Sequence, residues 1–419
     1  MMAGYGKRSL KIALGLAAIF MISPAIAAPS KAQVESRYRN WLEKDLWPEA
    51  KAAGVSRAIF DQAFAGVSIN WKLPDLVIPG AKPKAPKEQK QAEFGAPGRY
   101  FNAKTVNSVS NGGKARLGQY ASLLKNIERQ YGVPGRVVLA IWGRESGFGT
   151  VKIPYNAFEV LGTKAFMATR KDMFREELVA ALQIASRGYI DESTMKSSWA
   201  GALGQPQFMP SSYLKHAVDF DGDGKRDIWN SVPDTLASIA NYLRIHGWQS
   251  GRDWGFEVNV PQDVSCSLEG PDQGRTIAQW AKLGITRING KAFPENEMKG
   301  EGFLLMPAGR YGPAFIVTPN FYVLKDYNMS DLYALFIGHV GDRIAYGVGD
   351  FQQKWGNVGT MYRSDIQAMQ KRLQAHGHDV GKADGLPGFK TRRSIGMWQT
   401  QNGMAPTCFS VPELLKTIR

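Results

Sequence analysis

The sequence predicts a mainly α fold of the α+β class, a helical body interrupted by a small β-rich insert. Three observations predict it. Apolar residues recur at helical spacing through most of the stretch before residue 250. The spacing switches to alternation at Trp254, where Phe256, Val258 and Val260 fall in step. Helical spacing then returns at 329–345 and again in a last unit over 361–419. A chain of 419 residues has room for two or three folded units. Its 44% hydrophobic and 21% charged residues exclude a disordered or collagen-like chain.

The chain begins with Lys7, Arg8 and Lys11, an apolar run from Ile12 to Ile22, then Pro24 and Ala25-Ile26-Ala27. Charged, apolar and small residues in that order read as a signal peptide over 1–27. The run is shorter than the roughly 20 residues that cross a bilayer; a retained anchor is the alternative. No cysteine lies near the cleavage site to carry a lipid, so the mature chain is expected to be exported, soluble and without a stable membrane anchor. The formal charge of +15 attracts anions. Export argues against nucleic acid and for an anionic wall polymer or lipid head group; solubility alone is the plain alternative. One basic cluster, Lys82-Pro-Lys84-Ala-Pro-Lys87, sits in a Pro-rich stretch and reads as a solvated loop.

Residues 33–66 read as helical, with Trp41, Leu42, Leu46 and Trp47 on one face and Ile59, Phe60 and Phe64 on another. Pro, Gly and Lys over 71–99 predict an extended connection. A helix is expected from Lys114 to Tyr131, ended by Gly132; the next opens near Pro134 and carries Val137, Val138, Ile141, Trp142 and Glu145. Further helices are expected at about 172–187, 206–217 and 233–246. Parts of 302–306 and 314–324 alternate, giving an insert of about 254–325, and 347–360 reads as a linker. Cys266 and Cys408 fall in different units, so two unpaired thiols are expected; the alternative is a bridge crossing between the units, which an exported chain could form.

Three strings carry chemistry. In Gly143-Arg144-Glu145-Ser146-Gly147-Phe148-Gly149, Glu145 lies seven residues after Val138 and four after Ile141, on their apolar face. A carboxyl there loses solvation and its pKa rises, which is what a general acid working near neutral pH needs; a solvated helix end before a glycine is the plain alternative. In Ser198-Trp199-Ala-Gly201-Ala-Leu-Gly204-Gln205-Pro206-Gln207-Phe208-Met209-Pro210-Ser211-Ser212-Tyr213, small residues form a wall for a sugar ring, and Ser198 and Gln207 supply hydrogen bonds. The third, Asp219-Phe-Asp221-Gly-Asp223-Gly224-Lys225-Arg-Asp227-Ile-Trp-Asn230, places oxygens at positions 1, 3, 5 and 9 of a calcium loop, with the Lys225 carbonyl at 7. Asn230 stands where position 12 usually carries Glu. The alternative is an acidic Asp-Gly turn without metal.

The first two strings together resemble the B-type lytic murein transglycosylases, bacterial enzymes that cleave peptidoglycan. The family shows Glu-Ser/Thr-x-x-Gly, then Ala-Gly-Ala-(Met/Leu)-Gly-x-x-Gln-Phe-Met-Pro-Ser-Ser-Tyr, matched here from Ala200 to Tyr213. The likeness continues through the calcium loop, Asn241-Tyr242, Tyr327-Asn328 and Tyr333, covering about 33–346. Trp199 and Gln205-Pro206 depart from it, where some relatives have Tyr and Tyr-Gly.

The resemblance implies a lysozyme-like helical catalytic domain over 33–346 with Glu145 as the only catalytic carboxyl, acid first and then base. It implies peptidoglycan glycan strands as substrate, a 1,6-anhydro product, no cofactor for catalysis and a periplasmic location. It places Ser198, Gln207, Phe208, Tyr242, Asn328 and Tyr333 along the cleft and lets Ser146 support the acid; core packing is the alternative for Tyr242 and Tyr333. It also makes Asp234 the source of the missing calcium carboxylate, beside Asp219, Asp221, Asp223, Lys225 and Asp227, around a structural Ca²⁺. Ile366-Gln367-x-x-Gln370-x-x-Leu373, Ala383-Asp384-Gly385, Thr391-Arg392 and Trp398-Gln399 resemble a three-helix peptidoglycan-binding domain. A hydrolytic muramidase and a non-catalytic wall-binding protein remain as rival readings.

Overall fold

The computed structural model describes residues 29–80, 96–190 and 194–418. The leader read at 1–27 and the cluster Lys82–Lys87 lie outside them. Helices α1 (Lys31–Trp41), α2 (Trp47–Ala52) and α3 (Arg57–Phe64) open the fold, with Ser30 and Ser56 accepting backbone N–H groups at two of their N-termini. Next come α4 (Ala103–Gln119), α5 (Ala121–Tyr131) and α6 (Gly135–Ser146), then α7 (Ala157–Met167), α8 (Lys171–Ser186), α9 (Pro210–His216) and α10 (Val232–Ile245). The two-residue strands β1 (Tyr155–Asn156) and β2 (Lys196–Ser197) pair with each other.

Helix α6 is the axis of the body. Val137, Val138, Leu139, Ala140 and Ile141 have no exposed surface. It packs against α4, α10 and α13 (Asp331–Tyr346). Helix α4 begins eleven residues before the helix expected at Lys114. Its sequence, Asn-Ser-Val-Ser-Asn-Gly-Gly, has poor helix propensity, but tertiary packing overrides it. A Cβ on Gly112 would lie 2.4 Å from the Phe148 ring, and one on Gly113 2.3 Å from Ile344. The glycines let α4 press onto the turn beyond Glu145 and onto α13.

The insert holds β3 (Gly255–Asn259), β4 (Arg275–Thr276), β5 (Thr286–Arg287), β6 (Glu301–Leu305) and β7 (Ala314–Val317) in the antiparallel order β4-β6-β7-β3-β5, with α11 (Ile277–Lys282) against it. Alternation sorts its side chains. Phe303, Leu305, Phe315 and Val317 enter the main core. Phe256, Val258, Leu304 and Ile316 face a second core with Trp280. The alternation read to 324 stops at Val317. Thr318 caps α12 (Pro319–Tyr327), and Pro319 sits in its first turn.

The last unit packs α14 (Arg363–Ala375), α15 (Phe389–Gln401) and α16 (Pro412–Thr417) around Ile366, Leu373, Ile395, Trp398 and Leu414. It is clamped to the insert, and here the expectation of free thiols fails. Cys266 and Cys408 form a disulfide across a sequence separation of 142. Both cysteines have no exposed surface, and the Arg310 N–H bonds the Thr407 carbonyl beside them at 2.9 Å. The stretch 347–360 also lies against the body: Trp355 stacks on Phe101 with centroids 5.4 Å apart. Among the described residues no helix is long and apolar enough to cross a membrane.

Candidate active site

Glu145 sits in the last turn of α6, and its position follows from how that helix ends. Gly147 caps it in the left-handed region at φ 58°. Phe148 follows at φ 62°, a conformation costly for an aromatic residue and common at functional turns. Its ring meets Trp142 edge-on at 5.4 Å, with the Arg116 guanidinium 4.3 Å above it. Ser146 is buried; its hydroxyl donates to the Trp142 carbonyl and accepts the Gly149 N–H. Ser146 therefore builds the turn and makes no bond to Glu145.

Burial raises the pKa of the Glu145 carboxyl above the ordinary carboxylate range; the Tyr333 hydrogen bond and the Arg144 charge pull the other way. The negative end of the α6 dipole acts in the same sense as burial. The Tyr333 hydroxyl donates to Glu145 Oε1 at 2.6 Å. Glu145 remains partly exposed at a cavity of about 310 Å³ lined also by Ser146, Lys152, Tyr155, Ser198, Trp199 and Gln207. Glu145 is its only acid among the described residues.

The second string forms the facing wall. Leu203 and Phe208 exchange backbone hydrogen bonds, which closes a tight loop. Gln207, at φ 55°, donates its side chain to the Gly204 carbonyl. Ser198 lines the cavity while its hydroxyl accepts the Ala202 N–H. Phe208 departs from its expected place along the cleft: it is 3% exposed and packs beneath the wall against Tyr242 and Tyr327. Tyr242 is also largely buried. Its hydroxyl donates to the Asp326 carbonyl at 2.7 Å, and burial pushes its pKa up to about 12. Asn328 is exposed at the end of α12, where its side chain accepts the Ser330 N–H.

Three further residues shape the site. Tyr327 lies parallel to Tyr333, centroids 6.5 Å apart, and donates to the Pro206 carbonyl. Gln205 accepts the Trp142 indole N–H at 2.7 Å and donates to the Trp229 carbonyl at 2.8 Å, tying α6 to the wall. Trp199 leaves half its surface open at the cavity, with Lys164 Nζ 5.0 Å from its ring. Sequence spacing named Gln205 and Trp199 only as departures from a pattern; their long-range partners are invisible there.

In the acidic loop, carboxylate oxygens of Asp219, Asp221 and Asp223 lie within 4.8 Å of one another, all exposed. Hard oxygen donors at this spacing fit a calcium ion. Asp234 does not join them, contrary to expectation. It is buried, and its two oxygens accept the Phe220 and Asp227 N–H groups. Asp227 is likewise turned to its own loop, accepting from Trp229, Asn230 and the Asn230 side chain. Lys225 donates its N–H to Asp223.

The transglycosylase SLT domain family matches residues 37–342, and a peptidoglycan binding domain family matches 362–407. Membrane-bound lytic murein transglycosylase B of Escherichia coli (strain K12) is 32% identical over 247 residues, 58% of this chain and 65% of that protein. The chain thus covers slightly less than two thirds of that relative's length. The crystal structure of SltB3 from Pseudomonas aeruginosa in complex with NAG-anhNAM-pentapeptide superposes with a TM-score of 0.81 at 36% identity, covering 91% of this chain and 99% of that one. Escherichia coli Slt35 in complex with calcium gives a TM-score of 0.52 at 30% identity, covering 61% of this chain and 80% of that one.

Proposed function

The chain belongs to the transglycosylase SLT domain family, and from that premise we propose that it cleaves the β-1,4 bond between N-acetylmuramic acid and N-acetylglucosamine in peptidoglycan. One observation carries the reading: a desolvated carboxyl, Glu145, is the only acid lining its cavity among the described residues and holds a 2.6 Å bond from Tyr333. Glycosidases that deliver water or form a covalent intermediate ordinarily use two carboxyls. A single carboxyl suits a reaction in which the sugar supplies its own nucleophile.

Glu145 in its neutral form gives its proton to the glycosidic oxygen as the bond to the muramic acid anomeric carbon breaks. The resulting carboxylate takes the proton of the muramic acid 6-hydroxyl, whose oxygen bonds to that carbon. The product is a 1,6-anhydro sugar, water is not consumed, and the acid is regenerated. The Tyr333 hydroxyl steadies the carboxylate between the two transfers. Trp199, Ser198 and Gln207 bound the sugar on the facing side. The last unit, which matches a peptidoglycan binding domain, holds the enzyme on the wall. A chain that keeps Cys266 and Cys408 paired belongs in an oxidising compartment, which supports export to the periplasm. Asp219, Asp221 and Asp223 would hold a structural calcium ion.

Mass spectrometry of digested sacculi tests the reading. Anhydromuropeptides are the expected product, and Glu145→Gln releases none while keeping the fold and wall binding. Muramic acid ends carrying labelled solvent oxygen would instead mark a hydrolase and overturn it.

A further inference from the structure

Arg392 of α15 is 4% exposed, yet it spends its charge outside its own unit. Its Nε and Nη2 donate to both oxygens of Glu269, a fully buried residue of the insert, at 3.0 and 2.6 Å. The same Nη2 donates to Asp331 Oδ2 at 3.0 Å. Lys325 Nζ holds the other Asp331 oxygen at 2.6 Å. Asp331 is the first residue of α13. Two residues on, in the same turn, stands Tyr333, whose N–H is capped by Ser330 and whose hydroxyl meets Glu145.

We propose that Arg392 is a positioning residue for the reaction: by holding Asp331 it fixes the first turn of α13 and keeps the Tyr333 hydroxyl on the catalytic carboxyl. The appended wall-binding unit is then a working part of the active site as well as a tether. This inference rests on the reading of Glu145 as the acid.

Leu332, Tyr333, Ala334 and Leu335 pack the inner side of this turn into the main core. Met329 is 78% exposed and Asn328 is exposed, so on the outer side the Asp331 carboxylate, shared by Arg392 and Lys325, ties the start of α13 to α12 and the last unit. The planar guanidinium meets two carboxylates at once, which a lysine ammonium does with less geometric control. A loosened turn moves the Tyr333 hydroxyl, and small misplacements of a catalytic contact carry large rate costs.

Three variants of the full chain test this, assayed for anhydromuropeptide release across pH. Asp331→Asn leaves the Arg392–Glu269 pair and the Cys266–Cys408 bridge in place, so the last unit stays docked. We expect its kcat to fall about ten-fold or more at nearly unchanged KM. The limb of the pH profile lost on raising pH is expected to move to higher pH, because Glu145 loses a hydrogen bond that favours its charged form. Arg392→Lys should lie between Asp331→Asn and the parent. Arg393→Gln removes a neighbouring contact to Asp272 and the Glu269 carbonyl and should change neither kcat nor the limb. A folded Asp331→Asn with the parent's kcat and pH limb overturns the inference even if Arg392→Lys fails to fold. A parent that releases no anhydro product overturns the reading of Glu145 instead, and this inference with it.

Discussion

Tyr333 and Glu145, 188 positions apart in the chain, share a hydrogen bond of 2.6 Å at the meeting of α6 and α13. The bond opposes burial: desolvation favours the neutral acid, while the phenol favours the carboxylate. The proposed role of Glu145 as acid and then base would gain from this balance, since neither form is then too stable.

Tyr333→Phe removes the phenol and leaves the ring. The Glu145 pKa should rise further, since the contribution lost is one that lowers it. The neutral acid then persists to higher pH, and the high-pH limb of the activity profile moves upward. The carboxylate left after the first transfer loses its donor, and kcat should fall about ten-fold or more, given about 1.5–3 kcal/mol for a hydrogen bond to a charged group. Steady-state rates against pH check both; an unmoved limb refutes the role.

How far the sequence reached is clearest at these two residues. The apolar phase of Glu145 and the glycines after it are local features, but they also fit a solvated helix end, and only the likeness of two strings to a family singled it out. Tyr333 was legible only through family likeness, with core packing as the rival reading, and the structure places its ring in the core and its hydroxyl on the acid. Phe208, Tyr242 and Asn328 share motifs with the cleft, yet motif membership does not say which side of a wall a ring faces. The first part of α4 was not legible because Asn-Ser-Val-Ser-Asn-Gly-Gly has poor helix propensity and its packing partners, Phe148 and Ile344 against Gly112 and Gly113, are distant in the chain. The disulfide escaped because nothing local says that the last unit folds back on the insert.

The acidic loop gives a calcium prediction with a built-in control. Asp219 already accepts the Gly222 and Gly224 N–H groups, so changing it disturbs the loop itself. Among the described residues, the Asp221 carboxylate accepts only from the Ser231 hydroxyl. Asp221→Asn should therefore remove a ligand charge with little effect on the metal-free loop. Millimolar calcium should raise the parent's Tm, as any ligand selective for the native state does, and the variant should lose most of that rise. Thermal melts with calcium and with chelator decide it; a parent indifferent to calcium refutes the site.

The Cys266–Cys408 bridge closes a long loop, so breaking it releases chain entropy in the unfolded state. Replacing both cysteines by serine should cost about 2–4 kcal/mol. The loss should appear as a lower denaturant midpoint under oxidising conditions, and reductant should bring the parent down to the same value. Equal midpoints for parent and variant would mean that the polar contacts across the interface, those of Arg392, Arg393 and Arg310 among them, hold it without the bridge.

Gln205 offers the sharpest stability test away from the acid. Its amide accepts from Trp142 on one side and donates to the Trp229 carbonyl on the other, and it is 8% exposed. Gln205→Leu keeps approximate size and strands both partners, each at about 1–3 kcal/mol. Gln205→Glu still accepts from Trp142 but brings a charge against a carbonyl that needs a donor, so it should be no better. Because the Gln205 link holds the Glu145 helix against the wall, Gln205→Leu should also lower kcat at temperatures where it is fully folded. Urea midpoints paired with initial rates below the transition separate the two effects; a variant as stable and as fast as the parent would show the bridge to be incidental.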